Sequence, residues 1–230
     1  AARGAGGVRP GILHAMTTTT NAHGSLLPRG LWRFRARLHG DPRVATAPAL
    51  DLGEGDTPLV PLTRWGATLG LRRVWAKLEG SNPTGSYKDR GMAVLASVAR
   101  ASGATHLVED SSGNAGASAA AYAARGGMTC TVYAPAAAPA AKLRQIRAYG
   151  AELIAVPGPR SAVADAARAA GTVVGAYHVS HNDNPLFVVG NQSLAFELAE
   201  AARALDPADR PWHVVMPVGG GAHEEGTAPN

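Results

Sequence analysis

The sequence predicts an α/β protein, with parallel sheets that carry helices on both faces. Two observations lead there. From residue 90 onward, apolar runs of strand length alternate with Ala-rich runs of helix length, joined by short connections containing Gly or Pro. With 46% hydrophobic residues among 230, the chain is also long enough to bury a substantial core, in one large domain or two small ones.

Residues 1–29, which include the threonine run 17–20, are expected to be a flexible N-terminal extension, and the sequence becomes domain-like at Leu31. Positions 59–62 and 74–78 read as short strands, the second leading into the turn-rich stretch 80–85. An apolar helix over 90–101, closed by Gly103, precedes a strand at 106–109. The Ala-rich helix 114–125, closed by Gly126 and Gly127, precedes the strand 129–134. Helix 140–149 leads to strand 152–156, and helix 162–170 to strand 176–180. A longer helix, 192–205, leads to a strand over 212–218 that runs into Gly219, Gly220 and Gly221.

The net charge of +5 and pI near 9.8 do not make this a nucleic-acid binder. Residues 1–43 hold seven arginines against Asp41, while the rest of the chain carries 15 basic and 16 acidic groups. A neutral body with a basic arm lacks the basic stripe that nucleic acid requires. One cysteine, Cys130, excludes an internal disulfide and fits a reducing compartment; its apolar surroundings make it a buried small hydrophobe. No apolar stretch approaches membrane-spanning length and no secretory signal is visible, so a cytoplasmic location is expected, with no membrane partner. His106, His178 and His181 lack metal-ligand spacing, and no metal is expected.

The chemistry concentrates at one lysine. Of the 22 basic residues only Lys77, Lys88 and Lys142 are lysines, and Lys88 follows a Pro/Gly turn at the start of a helix. A helix N-terminus is a poor place for a cation but helps make an amine nucleophilic, and an amine, unlike a guanidinium, can form a Schiff base. In a parallel α/β sheet, ligands sit beyond the carboxyl ends of the strands. Two loops fit that position. Ser111, Ser112, Gly113 and Asn114 place hydroxyls, an amide and free backbone N–H groups at a helix start, where a carboxylate or phosphate binds. Gly219, Gly220 and Gly221 let backbone amides approach a phosphate without Cβ obstruction.

A lysine, a carboxylate receptor and a phosphate loop are the parts that hold pyridoxal phosphate and an amino acid. At this point the motifs support a resemblance. Gly53-Glu54-Gly55-Asp56-Thr57-Pro58-Leu59, Lys77-Leu78-Glu79, the stretch from Asn82 through Lys88-Asp89-Arg90-Gly91, and Ser111-Ser112-Gly113-Asn114 resemble the threonine synthase branch of the tryptophan-synthase-β-like (fold type II) pyridoxal-phosphate enzymes. The resemblance covers roughly Leu31 to Gly221. It implies that Lys88 carries the cofactor as a Schiff base and afterwards acts as the base at Cα. Asn114 would contact the cofactor ring oxygen, Ser111, Ser112 and Gly113 the substrate carboxylate, and Gly219, Gly220 and Gly221 the phosphate. The implied reaction is a carbon–oxygen lyase step that converts O-phosphohomoserine to threonine and phosphate. The implied partner is a small amino-acid substrate, with a homodimer left open.

The resemblance further implies two domains: a larger cofactor-binding one from 30–91 with 206–230, incomplete at its C-terminus, and a smaller α/β one over 92–205. It departs at the substrate anion site. Threonine synthases commonly carry Thr after the Ser-Ser-Gly-Asn loop, and later Asn-Pro-Tyr-Arg; this chain has Ala115 and Asn184-Pro185-Leu186-Phe187. Each lost charge-assisted bond is worth about 1.5–3 kcal/mol. The alternatives are therefore another pyridoxal-phosphate lyase or dehydratase acting on a different substituted amino acid, or a non-catalytic remnant of the fold.

Overall fold

Strands and helices form close to where the apolar pattern places them. The computed structural model describes residues 29–206 and 211–217. A 3-10 helix, Gly30–Arg37, and a short helix α1 (Arg43–Thr46) lead to β1 (Leu59–Pro61), α2 (Thr63–Thr68) and β2 (Trp75–Lys77). After a 3-10 turn, Glu79–Ser81, the alternation begins. It runs α3 (Lys88–Ala101), β3 (His106–Glu109), α4 (Asn114–Gly126), β4 (Thr129–Pro135), α5 (Ala140–Ala148), β5 (Glu152–Val156), α6 (Arg160–Ala170), β6 (Ala176–His178) and α7 (Pro185–Leu205).

The alternating segment forms a four-stranded parallel sheet in the order β5-β4-β3-β6, flanked by helices, while β1 and β2 pair antiparallel in a separate two-stranded sheet. The central strands β3 and β4 are largely buried, as parallel strands covered on both faces must be, and the edge strands β5 and β6 are half-exposed. The strand order turns back at β3, so the loops after β3 and β6 leave neighbouring carboxyl ends.

Most of the expected boundaries hold to within two residues, and two of the expected elements differ by more. Helix α7 starts at Pro185 rather than 192, because Asn184 Oδ1 accepts the Leu186 N–H at 3.1 Å and Pro185 is suited to the first helical position. The strand expected over 212–218 is absent from the described residues 211–217. A strand needs a backbone ladder, and among the described residues β2 is paired only with β1. This segment meets β2 through its rings instead: Trp212 stacks on Trp75 with centroids 5.1 Å apart.

Helix α3 is the axis of the core. From Asp89 to Ala99 every residue is buried, as expected of a helix packed on all sides. It packs on α4 and α7 and joins one apolar cluster that includes Leu31 and Trp32, Tyr122, Val132 and Phe187. The α3–α7 crossing is close enough to require glycines. A Cβ at Gly190 would lie 2.1 Å from the Arg90 carbonyl oxygen, and one at Gly91 would lie 2.6 Å from the Phe187 ring.

A buried charge cluster fixes that crossing. Arg90, fully buried, donates Nε to Glu79 at 2.7 Å, Nη1 to Glu197 at 2.7 Å and Ser193 at 3.0 Å, and Nη2 to Glu79 at 2.9 Å, Glu197 at 3.0 Å and Thr57 at 3.2 Å. Glu197 also accepts Lys77 Nζ at 2.5 Å and the Asp56 N–H at 2.8 Å. Burial alone would raise the Glu79 and Glu197 carboxyls, but bonding to Arg90 outweighs it and holds both below their ordinary range.

Glu54 is buried without a cation. Its Oε2 accepts the Tyr122 hydroxyl at 2.6 Å and the Leu52 N–H at 3.0 Å, while Oε1 has no partner among the described residues. Burial therefore pushes its carboxyl up from 4.5 to about 7, in spite of the Tyr122 bond.

Two outcomes follow from these buried groups. Glu197→Gln, which leaves Arg90 with Glu79 as its one carboxylate and Lys77 with none, is expected to cost about 3–5 kcal/mol in urea unfolding. Glu54 binds its proton more tightly in the folded state, so its contribution is complete below pH 4.5 and is lost as pH rises to about 7. Glu54→Gln should abolish that loss, which is on the order of 3 kcal/mol. The check is the wild-type minus variant stability across this pH window; parallel pH curves would refute it.

Candidate functional site

Lys88 is the first residue of α3, and the turn before it is held from several sides. Gly85 N–H donates to the Asn82 carbonyl at 2.8 Å. Thr84 donates its N–H and its hydroxyl to Asp89, at 2.7 and 2.6 Å, and Gln145 from α5 donates to the Thr84 carbonyl at 2.8 Å. Asp89 also accepts the Ser118 hydroxyl from the second turn of α4 at 2.6 Å. This wholly buried carboxylate thus ties the start of α3 to the start of α4; burial raises its pKa, and its hydrogen bonds offset only part of the rise.

The lysine between these anchors is left uncommitted. Lys88 is half-buried, with Nζ 4.6 Å from the Tyr87 ring centroid and 5.2 Å from that of Phe187. Among the described residues its amine has no carboxylate partner and no hydrogen-bond acceptor, in contrast to Lys77. Two ring faces hold the amine in place without consuming its protons or lone pair.

The loop after β3 is also open. No side chain caps α4; Ser111 Oγ accepts the Gly113 N–H at 3.2 Å, while the Ser112 hydroxyl and the Asn114 amide have no partner among the described residues. The loop folds back onto its own helix at Gly116, where a Cβ would sit 2.1 Å from the Ser111 carbonyl oxygen. Uncapped N–H groups, two hydroxyls and an amide at a helix start are the donor types that an anion needs. This donor set fits pyridoxal phosphate and an amino-acid carboxylate: an uncommitted amine beside uncommitted donors. Gly219, Gly220 and Gly221 lie outside the described residues.

Beside this loop lies a cluster that the sequence reading did not assemble. Glu109 ends β3, and its Oε1 lies 2.7 Å from His181 Nδ1 in the loop after β6. Asp110 takes Arg160 at 2.5 Å through Oδ2, and its Oδ1 lies 3.8 Å from His178 Nε2, beyond hydrogen-bond range. Burial pushes Glu109 up, only partly countered by His181. Burial pushes Asp110 up as well, but His178 and Arg160 outweigh it and hold the carboxyl at about 2. His181 meets the edge of the Phe187 ring, with centroids 6.0 Å apart. The available sequence signal was Glu109-Asp110 closing a buried strand; the parallel pairing of β3 with β6 is what delivers the histidines.

The remaining candidates are structural. His106 bonds Thr129 Oγ1 at 2.6 Å across the β3–β4 pair, and Cys130 is buried, its thiol pushed up to about 12 by desolvation. Asp56 accepts the Gly30 N–H at 2.7 Å and pairs with Arg33 at 3.0 Å.

Comparison with known proteins agrees with this geometry. Residues 50–228 match the sequence profile of the family described as "Pyridoxal-phosphate dependent enzyme". The threonine synthase of Bacillus sp. (strain ULM1) is 40% identical over 156 residues, covering 66% of this chain and 43% of the relative. The threonine synthase of Methanocaldococcus jannaschii is 36% identical over 191 residues, covering 83% of this chain and 45% of the relative. The chain thus spans less than half the length of these relatives. Among solved structures, a fungal L-serine ammonia-lyase from Rhizomucor miehei superposes with TM-score 0.67 at 24% identity, over 78% of this chain and 55% of that one. The Escherichia coli diaminopropionate ammonia lyase gives 0.69 at 21%, over 77% and 55%. An O-ureido-L-serine synthase variant with O-ureido-L-serine bound gives 0.65 at 27%, over 75% and 54%.

The fold-back at Gly116 can be tested by substitution. Gly116→Ala should lose about 1–3 kcal/mol on urea unfolding through the clash with Ser111, with faster amide hydrogen exchange in residues 111–116. Gly113→Ala, whose Cβ would meet only Ser111 Oγ at 3.9 Å, should leave both close to wild type.

Proposed function

Because the chain belongs to the pyridoxal-phosphate dependent enzymes, the family matched over residues 50–228, we propose that it is the core of an amino-acid lyase of threonine-synthase type. The observation that carries this reading is the uncommitted Lys88 amine at the start of α3, tied through Asp89 and Ser118 to the uncapped start of α4.

In this reading Lys88 holds the cofactor through its amine, Asn114 donates to the cofactor's ring oxygen, and the amides of Gly219, Gly220 and Gly221 take its phosphate. The bound cofactor supplies an electron sink for negative charge developing at the Cα of an amino acid. Ser111, Ser112 and the N–H groups around Gly113 orient the substrate carboxylate, which sets the Cα proton toward the lysine. Once its amine is released, Lys88 takes that proton as general base and can return it later in the cycle. The Tyr87 and Phe187 rings exclude water from its neighbourhood. Asp89 and Arg90 position the helix start without contacting substrate. The expected net reaction converts O-phosphohomoserine and water to threonine and phosphate, the water adding its hydroxyl at Cβ. The division into a small domain, 92–205, and a larger one from 30–91 and 206–230 goes with this reading.

A second reading is favoured by one specific observation. Ala115 and Phe187 are buried and apolar at the positions where threonine synthases commonly carry a hydroxyl and an arginine for the substrate phosphate. A different β- or γ-substituted amino acid would be the substrate in that case.

The purified protein with added cofactor is expected to show a visible absorbance band that Lys88→Ala abolishes. The unfolding free energy should change by less than about 1 kcal/mol, because the lysine makes only ring contacts. Phosphate release from O-phosphohomoserine would support the first reading. An intact band without phosphate release would transfer support to the second, and absence of the band would leave a non-catalytic remnant of the fold.

A further inference from the structure

We propose that Glu109, Asp110 and His181 form a binding site for a divalent metal ion of the zinc class, immediately beside the proposed cofactor site. One donor atom from each of the three lies within 4.8 Å of the others. Ligands around a zinc-like ion are held about 2.0–2.2 Å from the metal, which places them about 3–4 Å from one another. The 4.8 Å bound exceeds that spacing by somewhat under 2 Å, so a bound ion would draw the three side chains together.

The stronger argument is the set of orphaned atoms. Glu109 is fully buried, and His181 satisfies only its Oε1; Oε2 has no partner among the described residues. Asp110, 4% exposed in its side chain, gives Oδ2 to Arg160 and leaves Oδ1 unpartnered, and the nearby His178 Nε2 is unpartnered too. Two carboxylate oxygens and an imidazole nitrogen left unsatisfied in the same small volume are costly in an apolar interior. A cation between them would satisfy the carboxylates together. It would replace the proton now held between His181 Nδ1 and Glu109 Oε1.

The donor set selects the metal class. A mixed imidazole and carboxylate set suits zinc and its transition-metal neighbours rather than magnesium, which prefers oxygen ligands and retained water. The supporting frame is rigid, as such a site requires. β3 and β6 are hydrogen-bonded neighbours, and the Val179 N–H continues their ladder to the Val108 carbonyl at 2.8 Å. The ion would fasten the end of β3 to the loop that enters α7. That junction sets both the carboxylate loop, which begins at Ser111, and Phe187, whose ring lies under the Lys88 amine.

The test is calorimetric titration of chelator-stripped protein with Zn²⁺ alone. One equivalent should bind, Mg²⁺ should fail to compete, and His181→Ala and Glu109→Gln should each weaken binding by about ten-fold or more. His106→Ala, on the far end of β3, should have no effect. Zn²⁺ should also raise the melting temperature of the wild type and not that of Glu109→Gln, an isosteric change that keeps the test valid if His181→Ala does not fold. Lys88→Ala should bind Zn²⁺ as the wild type does, so a failed cofactor reading and a failed metal site are told apart. Absence of stoichiometric binding, equal competition by Mg²⁺, or equal loss in His106→Ala would overturn the proposal.

Discussion

The rest of the structure depends on one buried guanidinium. Arg90 sits in the middle of the helix crossing that forms the core, and every one of its N–H groups reaches an acceptor on a different part of the chain. Burying such a charge is unfavourable unless its partners are in place together, so the turn around Thr57, the Glu79 turn, α3 and α7 must assemble as a unit. Glu197 extends the constraint to β2 through Lys77 and to the 53–59 turn through the Asp56 N–H. The cluster is polar, so it specifies one arrangement where apolar packing alone would tolerate several.

This constraint gives the candidate site its character. In Lys88-Asp89-Arg90 three consecutive charged residues have three different fates. Arg90 is saturated by two carboxylates. Asp89 is saturated by hydroxyls and an amide that join α3 to α4. Lys88 retains only the two ring faces. Helical geometry turns successive residues by about 100°, which lets neighbours in sequence face entirely different surroundings. The Lys88 amine is thus kept out of the electrostatic network, on a helix start that the network fixes, which is the arrangement the proposed function needs.

The same division explains the motifs. Thr57, Lys77, Glu79 and Arg90 belong to the motifs that resemble pyridoxal-phosphate enzymes, and all four meet in the buried charge cluster. There they fix the helix start that carries Lys88. Ser111, Ser112 and Asn114 behave differently: their side chains bond at most one local backbone amide, which leaves them available to a ligand.

By itself the sequence determined the alternating α/β order, the place of Lys88 at a helix start and the polar loop at the start of α4. These are local facts, set by apolar periodicity, by Gly and Pro at the joints and by the chemistry of single side chains. The strand expected at 212–218 could not be settled in the same way, because a strand exists only with a ladder partner and residues 211–217 make none. Tertiary structure alone decided which charges are spent and which are free. Glu197 lies more than a hundred residues from Arg90, and His181 far from Glu109. Nothing in their sequence neighbourhoods marks them as partners. Parallel strand pairing and a glycine-lined helix crossing brought them together, because long-range contacts are set by packing rather than by local propensity.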